Sequence, residues 1–428
     1  MSPSTNRMSA TKRYKLSLLW VDAGTSCHPY HVCRRKADVL WLMGRWQETE
    51  PIYRRNVEWA AALPALAGQS LNDLGWALSL RGGGDEALEL FGRAAELYER
   101  LGDKPGLACS LRYSGNVFQR RGASGDALDS YLRALELSRQ AGDEAGMAGT
   151  LNSIANIESL RGDYAGSLIR YQEALNIMEQ IGSVSQQAVI IGNIGVVYCE
   201  MLEYGRAMEM FQRAAALSAA AGDKFQRAAA LGNMTLLHTQ LGKYSVAQEM
   251  AGQRIKIARE IGDDKGLGIS LNHLGIIHTA LRDQSRAVDY FEQAIAIARK
   301  QGIRYFLKDF LIQLVETHIA AGDPGRAAPA LIEARALADE IGDPVAALKC
   351  RKLAADIAAF TDREAAAAQL AALLPEVSDQ ALLADIHTAL FALGRGPEHR
   401  DQAVSLYRGL HRQTQAVEYA EKLARLDA

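Results

Sequence analysis

The sequence predicts an all-α fold, a right-handed superhelical solenoid of antiparallel helix pairs, and three observations lead there. The first is a 40-residue period. Gly75, Gly115, Ala155, Gly195, Thr235, Gly275 and Val315 share one column. Ala87, Ala127, Ser167, Ala207, Ala247, Ala287 and Ala327 share a second, and Phe91, Tyr131, Tyr171, Phe211, Ala251, Phe291 and Leu331 a third. Self-similarity at such a period marks stacked units, none of which can hide its apolar face alone. The second observation is helical spacing on both sides of a break. Leu151, Ile154, Ala155 and Ile157 recur at three and four residues, as do Leu168, Tyr171, Ala174, Leu175 and Met178, with Arg161-Gly162-Asp163 between the two sets. The third is a column with no exception: Gly102, Gly142, Gly182, Gly222, Gly262, Gly302 and Gly342. Glycine ends a helix in the left-handed conformation at no steric cost.

Taken in order, residues 1–35 do not match the repeat and read as an N-terminal extension. Met1 to Arg13 is polar and reads as disordered. The apolar run Leu16 to Val21 is too short for an export signal and is interrupted at Asp22. Cys27, His28, His31 and Cys33 bring two thiols and two imidazoles together, but the spacing matches no common zinc module and neighbouring residues seldom reach one ion. The stretch reads as a loop, with no metal and no cofactor. Residues 36–66 read as a degenerate capping helix pair, with Trp41, Trp46 and Trp59 covering the open end of the stack. Residues 67–346 form seven repeats. Their links, such as Gly102-Asp103, Gly142-Asp143, Gly222-Asp223 and Gly262-Asp263, place an aspartate to cap each following helix. Ser183 replaces that aspartate once and is expected to cap as well. In the last full repeat Pro324 is placed to open a helix, whereas Pro329 falls inside its first turns and is expected to perturb it. Residues 347–428 read as irregular helical repeats and a cap. Helices are expected over 348–360, 363–374, 381–393 and 400–410, with a final one starting at Gln413.

The motif Ile194-Gly195, Tyr198, Ala207, Phe211, Ala214 recurs as Leu274-Gly275, His278, Ala287, Phe291, Ala294. It resembles the tetratricopeptide repeat family, whose usual period is about 34 residues. The longer period here resembles the repeats of kinesin light chains, of G-protein-regulator adaptors and of bacterial peptide-sensing regulators. The resemblance covers residues 67–346. It implies the fold, and in peptide-binding members it implies a groove with asparagines on the first helix of each pair.

Composition narrows the function classes. The net charge of −2 gives no general attraction to nucleic acid or to an anionic membrane. No run is long and apolar enough to span a bilayer. The five cysteines are scattered and odd in number, which favours a reducing, cytoplasmic setting. Phosphate-binding glycine loops, HExxH and GxSxG are all missing, so the chain reads as a non-enzyme. His238 and His278 take a column that Tyr198 also holds and read as core imidazoles.

The informative polar residues lie around the glycine column. Three residues before it stand Asn72, Arg112, Asn152, Gly192, Gly232, Asn272 and Ile312. One residue after it stand Trp76, Asn116, Asn156, Val196, Leu236, Ile276 and Glu316. These two sets are four apart and share a helix face. Asparagine offers donor and acceptor together, and arginine can fork onto a carboxylate. Asn72, Arg112, Asn116, Arg120, Asn152, Asn156 and Asn272 are therefore the expected groove residues, either holding a peptide or bridging adjacent helices. From Val189 onward the same face turns apolar, suited to an amphipathic segment or to burial against the C-terminal helices. The expected function is a protein-interaction scaffold binding a peptide or partner protein. The alternative is the sensor or regulatory portion of a bacterial signalling or transcriptional regulator that acts through a separate effector. Homo-oligomerisation is left open.

Overall fold

The computed structural model describes residues 33–37, 40, 48–80 and 84–427. Cys27, His28, His31, the 16–21 run, Trp41 and Trp46 lie outside them. The chain divides into two compact units, up to Asp163 and from Tyr164 onward. Among the described residues all regular structure is helical. The first unit contains α1 (Thr49–Ala60), α2 (Pro64–Leu80), α3 (Gly84–Leu101), α4 (Lys104–Arg120), α5 (Ser124–Ala141) and α6 (Glu144–Leu160). The second begins with α7 (Tyr164–Ile181), α8 (Val184–Glu200), α9 (Tyr204–Ala221), α10 (Lys224–Gln240) and α11 (Tyr244–Ile261). It continues with α12 (Asp264–Ala280), α13 (Gln284–Gln301), α14 (Arg304–Ala320), α15 (Pro324–Ile341) and α16 (Pro344–Ala358). It ends with α17 (Arg363–Leu373), α18 (Gln380–Ala392), α19 (Pro397–Thr414) and α20 (Val417–Asp427).

The repeat junctions share one backbone geometry, and most share one cap; Ile303, which follows Gly302, has none. The seven column glycines have φ between 65° and 76°. The next amide turns back onto the helix, as Asp103 N does to Tyr98 O at 2.9 Å and Asp223 N to Ser218 O at 2.8 Å. The aspartate side chain then accepts the third amide of the following helix: Gly106 N to Asp103 at 2.9 Å, Gly146 N to Asp143 at 2.9 Å, Gly266 N to Asp263 at 2.8 Å. Ser183 does not follow this pattern. It stands at the cap position without a side-chain bond.

Within a repeat the core is a ring set into a notch. Phe91, Tyr131, Tyr171, Phe211 and Phe291 are almost fully buried, and every member of the small-residue column from Ala87 to Ala327 is fully so. A Cβ built on Gly75, Gly115 or Gly195 would stand 2.7, 2.5 and 2.6 Å from Phe91, Tyr131 and Phe211. The missing side chain therefore admits the ring of the following helix. First helices also touch the first helices of the next pair: α2 meets α4 and α4 meets α6, and in the second unit the series runs from α8 through α18. That closer spacing places the first helices on the inside of the curve of each unit, which positions the site described below.

Three further expectations are corrected. Pro329 sits inside α15 without breaking it. Its position is exposed, so the Gly325 carbonyl left without a donor is open to water. The last helix does not begin at Gln413. α19 runs on to Thr414, and Gln415 at φ 51° breaks the chain before α20. Val196 and Leu236 are 40% and 41% exposed, so the C-terminal helices do not cover the apolar stretch at those two residues. Instead α20 turns back onto a much earlier loop. A Cβ on Gly242 would stand 2.8 Å from Val417, and Glu418 and Glu421 lie close enough to add to the burial that raises the Tyr244 phenol pKa. A cleft of about 670 Å³ opens beside this contact, lined by residues of the 202–208 and 238–243 stretches and by Gln415.

The turns inside the repeats carry an unadvertised second column. Gly122, Gly162, Gly242 and Gly322 have positive φ, and so do Leu202 and Arg282 at 63° and 61°. A side chain in that conformation costs about 1–2 kcal/mol. Arg282 is exposed, so little packing offsets the strain. Arg282→Gly is expected to raise stability by about 0.5–1 kcal/mol after the extra freedom of the unfolded glycine is deducted. A melting curve unchanged or lowered would rule this out.

Candidate functional site

On the inner face of the first unit, α2 and α4 present a ladder of rings and cations. Trp76 stacks on Tyr113 with centroids 5.2 Å apart and planes at 27°. The Arg120 guanidinium lies 5.5 Å over Trp76, and that of Arg112 lies 5.0 Å over Tyr113. Arg120 also donates to Ser79 Oγ at 2.8 Å, tying α4 back to α2, and burial lowers its pKa. Arg112 passes over Gly149 of α6, about 3.8 Å from where a Cβ would stand. Among the described residues no carboxylate pairs with it. Burial raises the pKa of Tyr113, so it remains a neutral phenol beneath the Arg112 cation.

The asparagines divide between roles. Asn72 is buried and donates from Nδ2 to Ser110 Oγ at 3.0 Å, bridging α2 to α4, while its Oδ1 is enclosed without a partner. Asn116 Oδ1 accepts the Tyr131 hydroxyl at 2.6 Å, joining α4 to α5. Burial pushes the Tyr131 pKa up to about 12, so this proton stays in place at neutral pH. Asn152 and Asn156 are half-buried, one turn apart on α6. Thus Asn72, Arg112, Asn116, Arg120, Asn152 and Asn156 all belong to the stacked first helices of one unit. Asn272 lies in the other unit on α12, buried, with Oδ1 unpartnered.

A family model described as tetratricopeptide repeat matches residues 30–100, 69–140, 106–180, 146–220, 186–260 and 226–300, one overlapping window after another at the period read from the columns. The chain belongs to the tetratricopeptide repeat family. No curated protein sequence matches it. Solved structures do. One is a Rap protein complexed with competence and sporulation factor, 15% identical over 85% of this chain and 99% of that one, TM-score 0.56. Another is the apo form of the quorum sensor NprR from B. thuringiensis, 12% identical over 84% and 98%, TM-score 0.53. A third is a signal-transduction ATPase with numerous domains and a tetratricopeptide repeat sensor, from Pyrococcus horikoshii. It is 16% identical over 79% of this chain and 54% of that one, TM-score 0.52, so this chain spans about half of it. At these identities the likeness is one of fold.

In this tetratricopeptide repeat protein, sequence reasoning overlooked Tyr113 and Ser79, which organise the two arginines. Tyr113 stands at a column position held elsewhere by Asp73, Ser153, Asn193 and His273, so periodicity gave it no weight. Among the described residues, no group of three or more His, Cys, Asp and Glu side chains could hold a metal ion. Nor, among them, is any helix long and apolar enough to cross a membrane.

Proposed function

We propose that this tetratricopeptide repeat protein is the sensor portion of a regulatory system, docking an extended or helical peptide that carries acidic groups. The docking face is the first-helix surface of α2, α4 and α6. The observation that carries this reading is the Trp76–Tyr113 stack held between Arg112 and Arg120, with Arg112 lacking a carboxylate partner. Aromatic and arginine side chains supply most of the energy at protein interfaces, and they do so best when already ordered. The half-buried Asn152 and Asn156 on α6 suit the backbone of such a ligand, whereas Asn72 is committed to bridging α2 and α4. Asn272 would serve a separate stretch of ligand on the second unit. The kinship of fold with a Rap protein bound to a signalling factor, with a quorum sensor and with a repeat-containing sensor supports the regulatory reading. On that reading the chain acts through a separate effector.

The discriminating variant is Arg112→Glu. An immobilised array of acidic heptapeptides would first select binders of the full chain, and the variant would then be titrated against them. Affinity should fall tenfold or more, which is about 1.4 kcal/mol, while the melting temperature stays within a degree or two. Asn116→Ala is expected to behave differently. It removes the shorter acceptor of the Tyr131 hydroxyl, leaving Gln119 Oε1 at 3.1 Å, and should cost about 0.5–1 kcal/mol of stability. Unchanged affinity in Arg112→Glu would sink the docking face.

A further inference from the structure

One repeat departs from the others in three places at once. The small-residue column Ala94, Ala134, Ala174, Ala214, Ala294 and Ala334 is interrupted by Arg254. In the same repeat Ala251 replaces the core ring, and Gly232 lies on the facing helix. Together these changes leave room for a long side chain between the two helices. The Arg254 side chain leaves α11 from the core side and runs against α10 at Gly232, where a Cβ would stand 2.7 Å from Nη1 and 2.9 Å from Cζ. Gly232 belongs to the column of Asn72, Arg112, Asn152 and Asn272. The guanidinium therefore reaches, from behind, the position that a side chain of that column fills elsewhere.

Among the described residues the cation has no hydrogen-bonded or ion-paired partner. Arg254 is 9% exposed, its Nε is enclosed and unbonded, and no hydrogen bond or ion pair reaches its Nη atoms from the described residues. Burial lowers the Arg254 pKa and Asp263 opposes this only in part and from a distance, its carboxylate being engaged in capping α12 through Gly266 N. On α12, next to α10, Asn272 Oδ1 and His273 Nδ1 are also buried and unpartnered. Burial and the nearby Arg254 charge push the His273 pKa down to about 3, so the imidazole adds no second cation at neutral pH. An unpaired buried charge is costly, and six of the seven repeats avoid it with alanine. The cost is recovered when an anion enters, because a planar guanidinium offers a carboxylate two parallel donors.

We propose that Arg254, with the neutral His273 imidazole beside it, forms a subsite in the second unit for the carboxylate of a peptide ligand. It is distinct from the Arg112 face and does not depend on it. The test is thermal melting of the full chain at constant ionic strength. Sodium chloride is compared with sodium acetate, with sodium phosphate, and with N-acetyl-trialanine as the free acid and as the C-terminal amide. The free acid and acetate should raise the melting temperature, while the amide should not. Arg254→Met keeps the apolar stem and removes the charge. It should melt at or above wild type in chloride and lose the carboxylate response. Gly232→Ala, which pushes a methyl into the guanidinium, should weaken the response at least tenfold in midpoint concentration, and it decides the matter if Arg254→Met does not fold. Arg112→Glu should leave the response intact, which separates this subsite from the docking face. The proposal is overturned if wild type gives no carboxylate response, if phosphate alone raises the melting temperature, or if the response survives in Arg254→Met or is unchanged in Gly232→Ala.

Discussion

Gly275→Thr and Phe291→Ala should each damage the second unit, and the two together should damage it less than either sum implies. Phe291 is fully buried, and removing its ring should cost about 3–5 kcal/mol. A Cβ at Gly275 would drive into that ring, so threonine there should cost about 1–3 kcal/mol through overpacking. The chain itself holds the combination elsewhere, since Thr235 faces the repeat in which Ala251 has replaced the ring, and Val315 accompanies Leu331. Volume is exchanged between the two columns. The double variant should therefore recover roughly 1–3 kcal/mol of coupling in a double-mutant cycle read by urea melts. The exchange is not one for one, since Ala155 holds the glycine column in the repeat whose ring column carries Tyr171. Strict additivity would show that the notch and the ring do not pack as a pair.

Asp343→Ala should be the most damaging exposed-face substitution in the second unit, at about 3–5 kcal/mol. Lys308 is 2% exposed and its ammonium is held by Asp343, with Asp309 at 3.3 Å on its other side. Burial works against the charge of Lys308, yet the bond to Asp343 keeps its pKa above the usual lysine value. Asp343 also caps α16, accepting Ala346 N at 3.0 Å. Removing the carboxylate uncaps one helix and leaves a buried cation with one weaker partner. Lys308→Met should cost far less, because it removes the charge and keeps the stem. The pH dependence has a fixed sign. Burial raises the Asp343 pKa, but the amide of Ala346 and the Lys308 ammonium outweigh it and hold the pKa below the usual value. Its contribution is complete above the roughly 3.9 of an unfolded aspartate and is lost as pH falls through the lower folded value. Wild type should therefore lose more stability than Asp343→Ala between pH 5 and about pH 2. Parallel pH–stability curves would contradict this.

Whatever repeats is legible in the sequence, because a column is a statement about one environment sampled seven times. Helix pairs, junction glycines and aspartate caps could all be read from residue type at a fixed offset. The departures were harder. Ser183 has the right chemistry for a cap and makes no side-chain bond, which residue type alone does not reveal. Pro329 is tolerated because its side of the helix faces water, which periodicity in this drifting repeat did not make plain. The asparagine rows were visible as rows. Their roles were not, since Asn116 is committed to a tyrosine on the following helix, and the donor of that bond lies in the column assigned to core filling. Arg254 shows the same blind spot more sharply. It looks like one blemish in an alanine column until Gly232 and Ala251 are seen to make room for it.

The return of α20 onto Gly242 changes the statistical character of the second unit. A linear array of repeats has only nearest-neighbour couplings, so it frays from its ends and can lose terminal repeats one at a time. Joining the far end to an early member turns that array into a loop. Every repeat between α11 and α19 then has a neighbour on both sides, and opening any of them must either break the closure or strain it. The closure costs loop entropy that grows only slowly with the length enclosed, so one modest contact at Val417 can discipline many repeats. Pulled from its C-terminus, such a chain should not peel gradually. It should hold until the α20 contact yields and then release its last repeats in quick succession.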